Sequence, residues 1–341
     1  MEIEKNIYIL GIESSCDDTS AAVFCNDKVL SNIVATQQVH KEYGGVVPEL
    51  ASRAHQKHIV PVIDQALKKA DINKNDLSAI AYTRGPGLMG SLLVGSSFAK
   101  SLSLALGIPL IEVNHMQAHL LAHFINDGKT DVPKFPFLGV TISGGHTQIV
   151  KVKDYFEMEV IGETLDDAIG EAFDKCGKMM KLPYPAGPEI DKLSKLGNPL
   201  KFEFAKPKVK GLDFSFSGLK TSVLYFLQKQ TKENPEFISE NIEDLCASFQ
   251  RKVVDILLTK LTKAVKETGI NQIAIGGGVS ANSGIRNALL EKKESAGWNV
   301  FIPKFEYCTD NAAMIGIVGY LKFQKNQFTD LATASKARYA I

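Results

Sequence analysis

Asn6-Ile-Tyr-Ile-Leu-Gly-Ile-Glu13 runs into Ser14-Ser15-Cys16-Asp17-Asp18-Thr19-Ser20, and then into Ala21-Ala22-Val23-Phe24-Cys25. The outer segments are short apolar runs of strand type. The turn between them is crowded with hydroxyls, carboxylates and backbone N–H groups. Such a turn suits phosphate or a hydrated cation, and a plain polar hairpin fits it equally. Asn26-Asp27 reads as a hairpin turn and Lys28–Val34 as a third strand. The pattern returns at Phe137–Ile142, Ser143-Gly144-Gly145-His146-Thr147 and Gln148–Val152. Two units of apolar strand, small polar turn and strand predict a duplicated α/β fold with a ligand in a cleft between two lobes.

Working outward, Leu77–Tyr82, Ile108–Val113, Gln272–Ile275 and Trp298–Pro303 read as further strands. Helices are predicted over Glu49–Lys69, bent or interrupted at Pro61, and over Leu92–Leu106, Ser222–Gln230, Ile238–Thr268 and Ser283–Lys292. A capped start at Glu163–Asp167 predicts a helix over Asp167–Met180, and a further helix beginning at Glu189 should end at Gly197. Thr309 is the expected N-cap of a helix over Asn311–Phe323, with Asp310 in its first turn, where the helix dipole favours a carboxylate. The expected lobes are 1–128 with 309–341, and 129–308, the second carrying a mostly helical insertion over about 164–268.

A chain of 341 residues suits two lobes better than one small core. Lysine and arginine nearly cancel the acids, leaving +1, so no global field announces nucleic acid or a membrane. No basic, apolar leader is expected at the start, and no run of about 18–20 apolar residues that would cross a bilayer. The five cysteines lack Cys-x-x-Cys spacing, which points to a reducing cytoplasm and away from a cysteine zinc site.

All seven histidines fall at or before position 146. His115 and His119 are four apart, so a helix places both on one face, within reach of one metal ion. Packing or capping would explain the pair as well. A zinc protease of this spacing needs glutamate directly after the first histidine; here that residue is Met116. His55 and His58 offer a second pair, for which an exposed or capping role is expected. His123 continues the spacing from His119. The glycine turns Arg84–Ser91 and Gly276–Asn282 each join a strand to a helix, where backbone can approach a ligand. Lys201–Lys210 reads as a basic loop.

Taken together and in order, these segments resemble the TsaD family (also called Gcp or YgjD). The resemblance rests on Gly11–Ser20, Gly85-Pro-Gly-Leu88, Asn114–His119, Val140–Thr147, Gly170–Lys175, Tyr184–Asp191, Phe214–Lys220, Gly276–Asn282 and Thr309–Ala313, and covers nearly the whole chain. Ala186 departs from the glycine often found there. The resemblance implies an actin/hexokinase/Hsp70-type fold. It implies transfer of threonylcarbamoyl from threonylcarbamoyl-AMP to N6 of adenosine 37 in tRNAs reading ANN codons. It places one divalent metal, iron or zinc, on His115, His119 and Asp310. It places nucleotide and substrate contacts on Thr141, Ile142, Ser143, Gly144, Gly145, Asp174, Gly187, Asp191 and Asn282. It also implies tRNA, a TsaB-like paralogue and a TsaE-like ATPase as partners. No side chain stands out as a general base. A small-molecule kinase of the same fold is the alternative, though it leaves the paired histidines unexplained; a non-catalytic nucleotide-binding subunit would not need all three metal ligands.

Overall fold

The computed structural model describes residues 6–128 and 131–341. In chain order the elements are β1 (Tyr8–Glu13), β2 (Thr19–Cys25), β3 (Lys28–Ala35), α1 (His40–Tyr43), α2 (Pro48–Ala70), β4 (Ala79–Gly85), α3 (Met89–Leu106), β5 (Leu110–Asn114), α4 (His115–Leu121), β6 (Phe137–Ile142), β7 (Thr147–Asp154), β8 (Glu157–Glu163), α5 (Ile169–Met179), α6 (Ala186–Ser194), α7 (Ser217–Glu233), α8 (Phe237–Glu240), α9 (Ile242–Thr268), β9 (Gln272–Gly276), α10 (Ser283–Ala296), β10 (Asn299–Phe301) and α11 (Ala312–Gln324). They divide into two compact units, Met1–Val132 with Pro303–Ile341, and Pro133–Ile302.

Each unit holds one five-stranded sheet. The first has the order β3-β2-β1-β4-β5, and the second β10-β9-β6-β7-β8. Both follow one plan. The first three strands pair antiparallel as consecutive hairpins, and the fourth and fifth add parallel on the far side of the first. The parallel crossovers require helices, and these are α2 and α3 in the first unit, and the run α5–α9 and then α10 in the second.

In the first unit α2 and α3 pack on the sheet over Leu10, Ile12, Val23, Ile63 and Tyr82. The α11 helix lies on β1, β2 and β4. It does so without intervening side chains at Gly11, where a Cβ would stand 2.6 Å from the carbonyl oxygen of Ala312 and 2.8 Å from the nitrogen of Gly316. In the second unit the core joins the sheet residues Leu138, Val140 and Ile275 to Phe173, Phe214, Phe216 and Phe249 from the helical run.

Several local expectations are corrected. The α2 helix passes through Pro61 without interruption. Pro61 and Lys57, whose carbonyl it cannot bond, lie on the solvent face, where the carbonyl is open to water. The α5 helix starts at Ile169 with no side-chain cap; Asp166 instead accepts from the backbone of Phe216 and Ser217, at the start of α7, and Asp167 pairs with Lys175 and Lys220. The α6 helix runs Ala186–Ser194, short of Gly197. Asn311, not Thr309, caps α11 through Met314 N–H, which places Asp310 ahead of the helix rather than in its first turn. The α3 helix, with a mean hydropathy of 1.3, is the one helix among the described residues long and apolar enough to cross a membrane. It is a packing helix here, set against α2 and β4 through Ser91, Leu92, Gly95, Ser96, Ala99 and Ser103.

Candidate metal centre and nucleotide site

Asn114 ends β5 and caps α4, its Oδ1 accepting from Met116 N–H at 2.9 Å and Gln117 N–H at 3.2 Å. The first helical residue is therefore His115, and His119 follows one turn later. Their rings meet edge to face with centroids 4.7 Å apart. Asp310 reaches the pair from the loop before α11. Its Oδ1 is 3.3 Å from His115 Nε2 and 3.4 Å from His119 Nε2.

These three are the one group among the described residues whose ligand atoms converge, all within 4.8 Å. Four tests favour a metal. A four-coordinate site with bonds near 2.1 Å has ligand atoms separated by about 3.4 Å. Among the described residues His119 Nδ1 is buried with no hydrogen-bond partner, and Nε2 meets only the Asp310 carboxylate, at 3.4 Å, a costly arrangement unless something else satisfies them. Two imidazoles and a carboxylate are a donor set that zinc and iron both accept. The Asp310 side chain is 28 % exposed while His119 is fully covered, so the cluster opens on the Asp310 side.

The ring of His115 is held from behind. Its Nδ1 faces Glu13 Oε2 at 3.0 Å and Ser15 Oγ at 3.2 Å. Glu13, at the end of β1, is wholly buried and also accepts from the Thr83 hydroxyl at 2.6 Å and from Ser15 N–H. A carboxylate on the far nitrogen fixes tautomer and orientation of a metal-binding histidine. Sequence reading gave Glu13 no place beside His115. A lone carboxylate closing an otherwise apolar strand was the available signal.

Charge follows this geometry. Burial pulls the His115 imidazolium down, but Glu13 and Asp310 together hold its pKa well above the usual value. Burial pulls His119 the same way, and there it prevails. The carboxyls of Glu13 and Asp310 are pushed up by burial, and His115 more than reverses this, leaving both low.

The other histidines have structural places. His55 is buried rather than exposed, with Nδ1 2.7 Å from Thr19 Oγ1 and Nε2 3.0 Å from the Cys16 carbonyl, so it fastens the polar turn. His123 sits in the 3-10 turn Ala122–Phe124, outside the converging group.

In the second unit, Thr141 and Ile142 close β6 and are fully buried, with Thr141 Oγ1 lacking a partner among the described residues. Ser143, Gly144 and Gly145 form the turn. Ser143 N–H donates to the His146 carbonyl and Ser143 Oγ accepts from His146 N–H. Gly144 and Gly145 are exposed, with open space where side chains would stand. In the 3-10 turn Gly278–Ala281 that follows the paired strand β9, Ser280 has a buried hydroxyl that also lacks a partner among the described residues.

Asp174, Gly187, Asp191 and Asn282 form a connected series of helix starts. Asp174 accepts from Ala186 N–H at 2.8 Å, at the head of α6, and burial pushes its carboxyl up. Gly187 follows in that first turn. Asp191, further along α6, accepts from Ser283 N–H and Oγ at the head of α10. Asn282 caps α10 through Ile285 N–H and donates to Gln250 Oε1 at 2.7 Å.

The profile of the TsaD family, described as tRNA N6-adenosine threonylcarbamoyltransferase, matches residues 28–317. This chain belongs to that family. Among TsaD relatives, the tRNA N6-adenosine threonylcarbamoyltransferase of Christiangramia forsetii is 67% identical over 98% of this chain and 99% of its own. That of Riemerella anatipestifer is 63% identical over 99% of each. The fold is shared more widely than the TsaD family. Full-length HypF in its phosphate- and nucleotide-bound form matches with a TM-score of 0.62 at 14% identity, over 96% of this chain and 48% of that one. Component A of the Acidaminococcus fermentans (R)-2-hydroxyglutaryl-CoA dehydratase matches at 0.53 and 16% identity, over 93% and 98%. The chain thus shares with them a duplicated α/β fold.

Proposed function

We propose that this chain is a tRNA N6-adenosine threonylcarbamoyltransferase that moves threonylcarbamoyl from threonylcarbamoyl-AMP to N6 of adenosine 37 in tRNAs reading ANN codons. The observation that carries this is near-full-length identity of 57–67% to relatives of that name, joined to the convergence of His115, His119 and Asp310. The amine attacks the carbamoyl carbon of a mixed anhydride, the bond to the phosphate oxygen breaks, adenylate leaves with that electron pair, and the amine gives up one proton to solvent. No further nucleotide is consumed in this step.

His115, His119 and Asp310 are the residues that would hold one divalent metal, iron or zinc. When bound, such an ion supplies Lewis-acid polarisation of donor oxygens. Glu13 keeps His115 in register and leaves its Nε2 as the liganding nitrogen. The Ser143–Gly145 turn presents backbone to the donor's phosphate. Asp174, Gly187, Asp191 and Asn282, with the helix starts they organise, receive its adenosine portion. A small-molecule kinase would leave the His–His–Asp cluster without a task.

The partners in this reading are tRNA, a TsaB-like paralogue and a TsaE-like ATPase. Five free cysteines fit work in the cytoplasm. Combining the chain with threonylcarbamoyl-AMP, tRNA and both partner proteins, with and without chelator, tests the proposal. Modified adenosine should form and should vanish with chelator. Persistence after rigorous metal removal refutes the metal role, and failure to form in the complete mixture refutes the reaction.

A further inference from the structure

The chain beyond α11 is tied down along its length. Thr329 N–H donates to the Leu110 carbonyl at 2.8 Å, beside the edge strand β5. Lys100 Nζ donates to the Thr333 carbonyl at 2.6 Å and Arg84 Nε to that of Ala334 at 3.0 Å. Lys336 N–H donates to the Arg84 carbonyl, and Gly87 N–H to that of Ala337. Gly85, at φ +152°, admits this path, since a Cβ there would stand 1.9 Å from the Lys336 carbonyl oxygen.

The last contacts fall on the cap of the metal helix. Asn114 Nδ2 donates to the carbonyls of Tyr339 and Ala340, at 3.4 and 2.9 Å. Tyr339 is anchored by its hydroxyl, 3.1 Å from Glu112 Oε2, and by the Arg84 guanidinium 5.0 Å over its ring. One side chain therefore grips the strap with its nitrogen and the first turn of α4 with its oxygen. Helix α4 has only seven residues, too few to hold a direction by its own hydrogen bonds. Its aim depends on what fixes its ends.

We infer that residues 334–340 form a strap that aims His115 and His119, with Asn114 and Tyr339 as positioning residues of the metal centre. This rests on the metal reading of His115, His119 and Asp310. The sharpest probe is Asn114→Asp. It keeps an oxygen to cap α4 and sets a carboxylate against two carbonyls, releasing the strap. Removing residues 338–341 is the second probe. Both are compared with the wild type in three measurements: Zn²⁺ affinity by chelator competition, the visible spectrum with Co²⁺, and thermal unfolding of the metal-free protein.

Each variant should bind Zn²⁺ about tenfold more weakly and shift the Co²⁺ bands, while the metal-free Asn114→Asp protein unfolds within about 2 °C of wild type. Wild-type affinity and spectrum in either variant overturns the strap. So does weaker binding with an unchanged spectrum and a matching loss of metal-free stability. A wild-type protein that binds neither ion overturns the metal reading and the strap with it, and that result is distinguishable because it needs no variant.

Discussion

Glu13 Oε2 stands 3.0 Å from His115 Nδ1, on the opposite side of the imidazole from the nitrogen that faces Asp310. The ring is thus clamped between two carboxylates. Replacing Glu13 by Gln keeps an oxygen and removes the charge. Metal affinity should fall ten- to hundredfold, about 1.4–2.7 kcal/mol, and the His115 pKa of the metal-free protein should drop. Chelator competition and an NMR titration of the His115 ring read the two effects. Wild-type values for both would detach Glu13 from the centre.

His115→Ala and Asp310→Ala each remove a converging ligand. Both variants should lose stoichiometric metal and at least a hundredfold of the transfer rate, on the order of what losing a charge-stabilising group costs. Metal content by elemental analysis and modified adenosine in the reconstituted mixture are the measurements. Full tRNA modification by either variant would end the assignment.

The pH dependence has a definite sign. His115 titrates above its usual value of 6.5 because Glu13 and Asp310 outweigh its burial. Stability contributed by its imidazolium is full below about 6.5 and fades as pH rises through the raised value. Metal requires the neutral ring, so its stabilisation runs the other way and is lost on acidification. Melting curves with metal and with chelator should therefore diverge toward pH 9 and converge toward pH 5. A constant gap across that range would contradict the coupling.

Asp18 lies in the turn between β1 and β2. Burial, with Asp17 and Asp310 nearby, pushes its carboxyl up to about 7, and its Oδ1 has no hydrogen-bond partner among the described residues. Between about pH 4 and 7 the folded state holds more protons there than the unfolded chain, so stability falls as pH rises through that window. Asn at this position removes the charge penalty. It should stabilise the protein by about 1–2 kcal/mol at pH 8, after discount for partial exposure, and by little at pH 4.5. Urea denaturation at the two pH values gives the comparison.

Asn282 carries two duties that substitution can part. Alanine removes the α10 cap and the bond to Gln250, at a cost of about 1–2 kcal/mol. Aspartate keeps the cap, so its stability should lie nearer wild type while any contact with the donor's adenosine is altered. Equal stability of both variants would mean that the cap contributes nothing.

The two hairpins were legible because β1, β2 and β6 are nearly continuous apolar runs and β7 returns directly after a short polar turn. Strand β8, absent from the sequence reading, alternates Glu157-Met158-Glu159-Val160 at a sheet edge, where one face is solvated and nothing demands an apolar run. The choice of Asn311 over Thr309 as cap could not be read locally. It is set by Ser20, whose hydroxyl takes the first free N–H of α11, that of Ala312, across 292 residues. His115 and His119 announce themselves by spacing. Glu13 does not, because it meets His115 across 102 residues and only the fold brings them together.

The contact at Gly11 has a mechanical consequence. Asp310 is carried two residues ahead of a helix that rests on β1 backbone to backbone, with no compressible side chain between them. The height of the carboxylate above the imidazoles is thereby gauged by the thickness of two peptide chains. A single methyl group inserted at residue 11 would act as a shim, lifting the head of α11 and opening the three-point grip from a position that supplies none of its ligands.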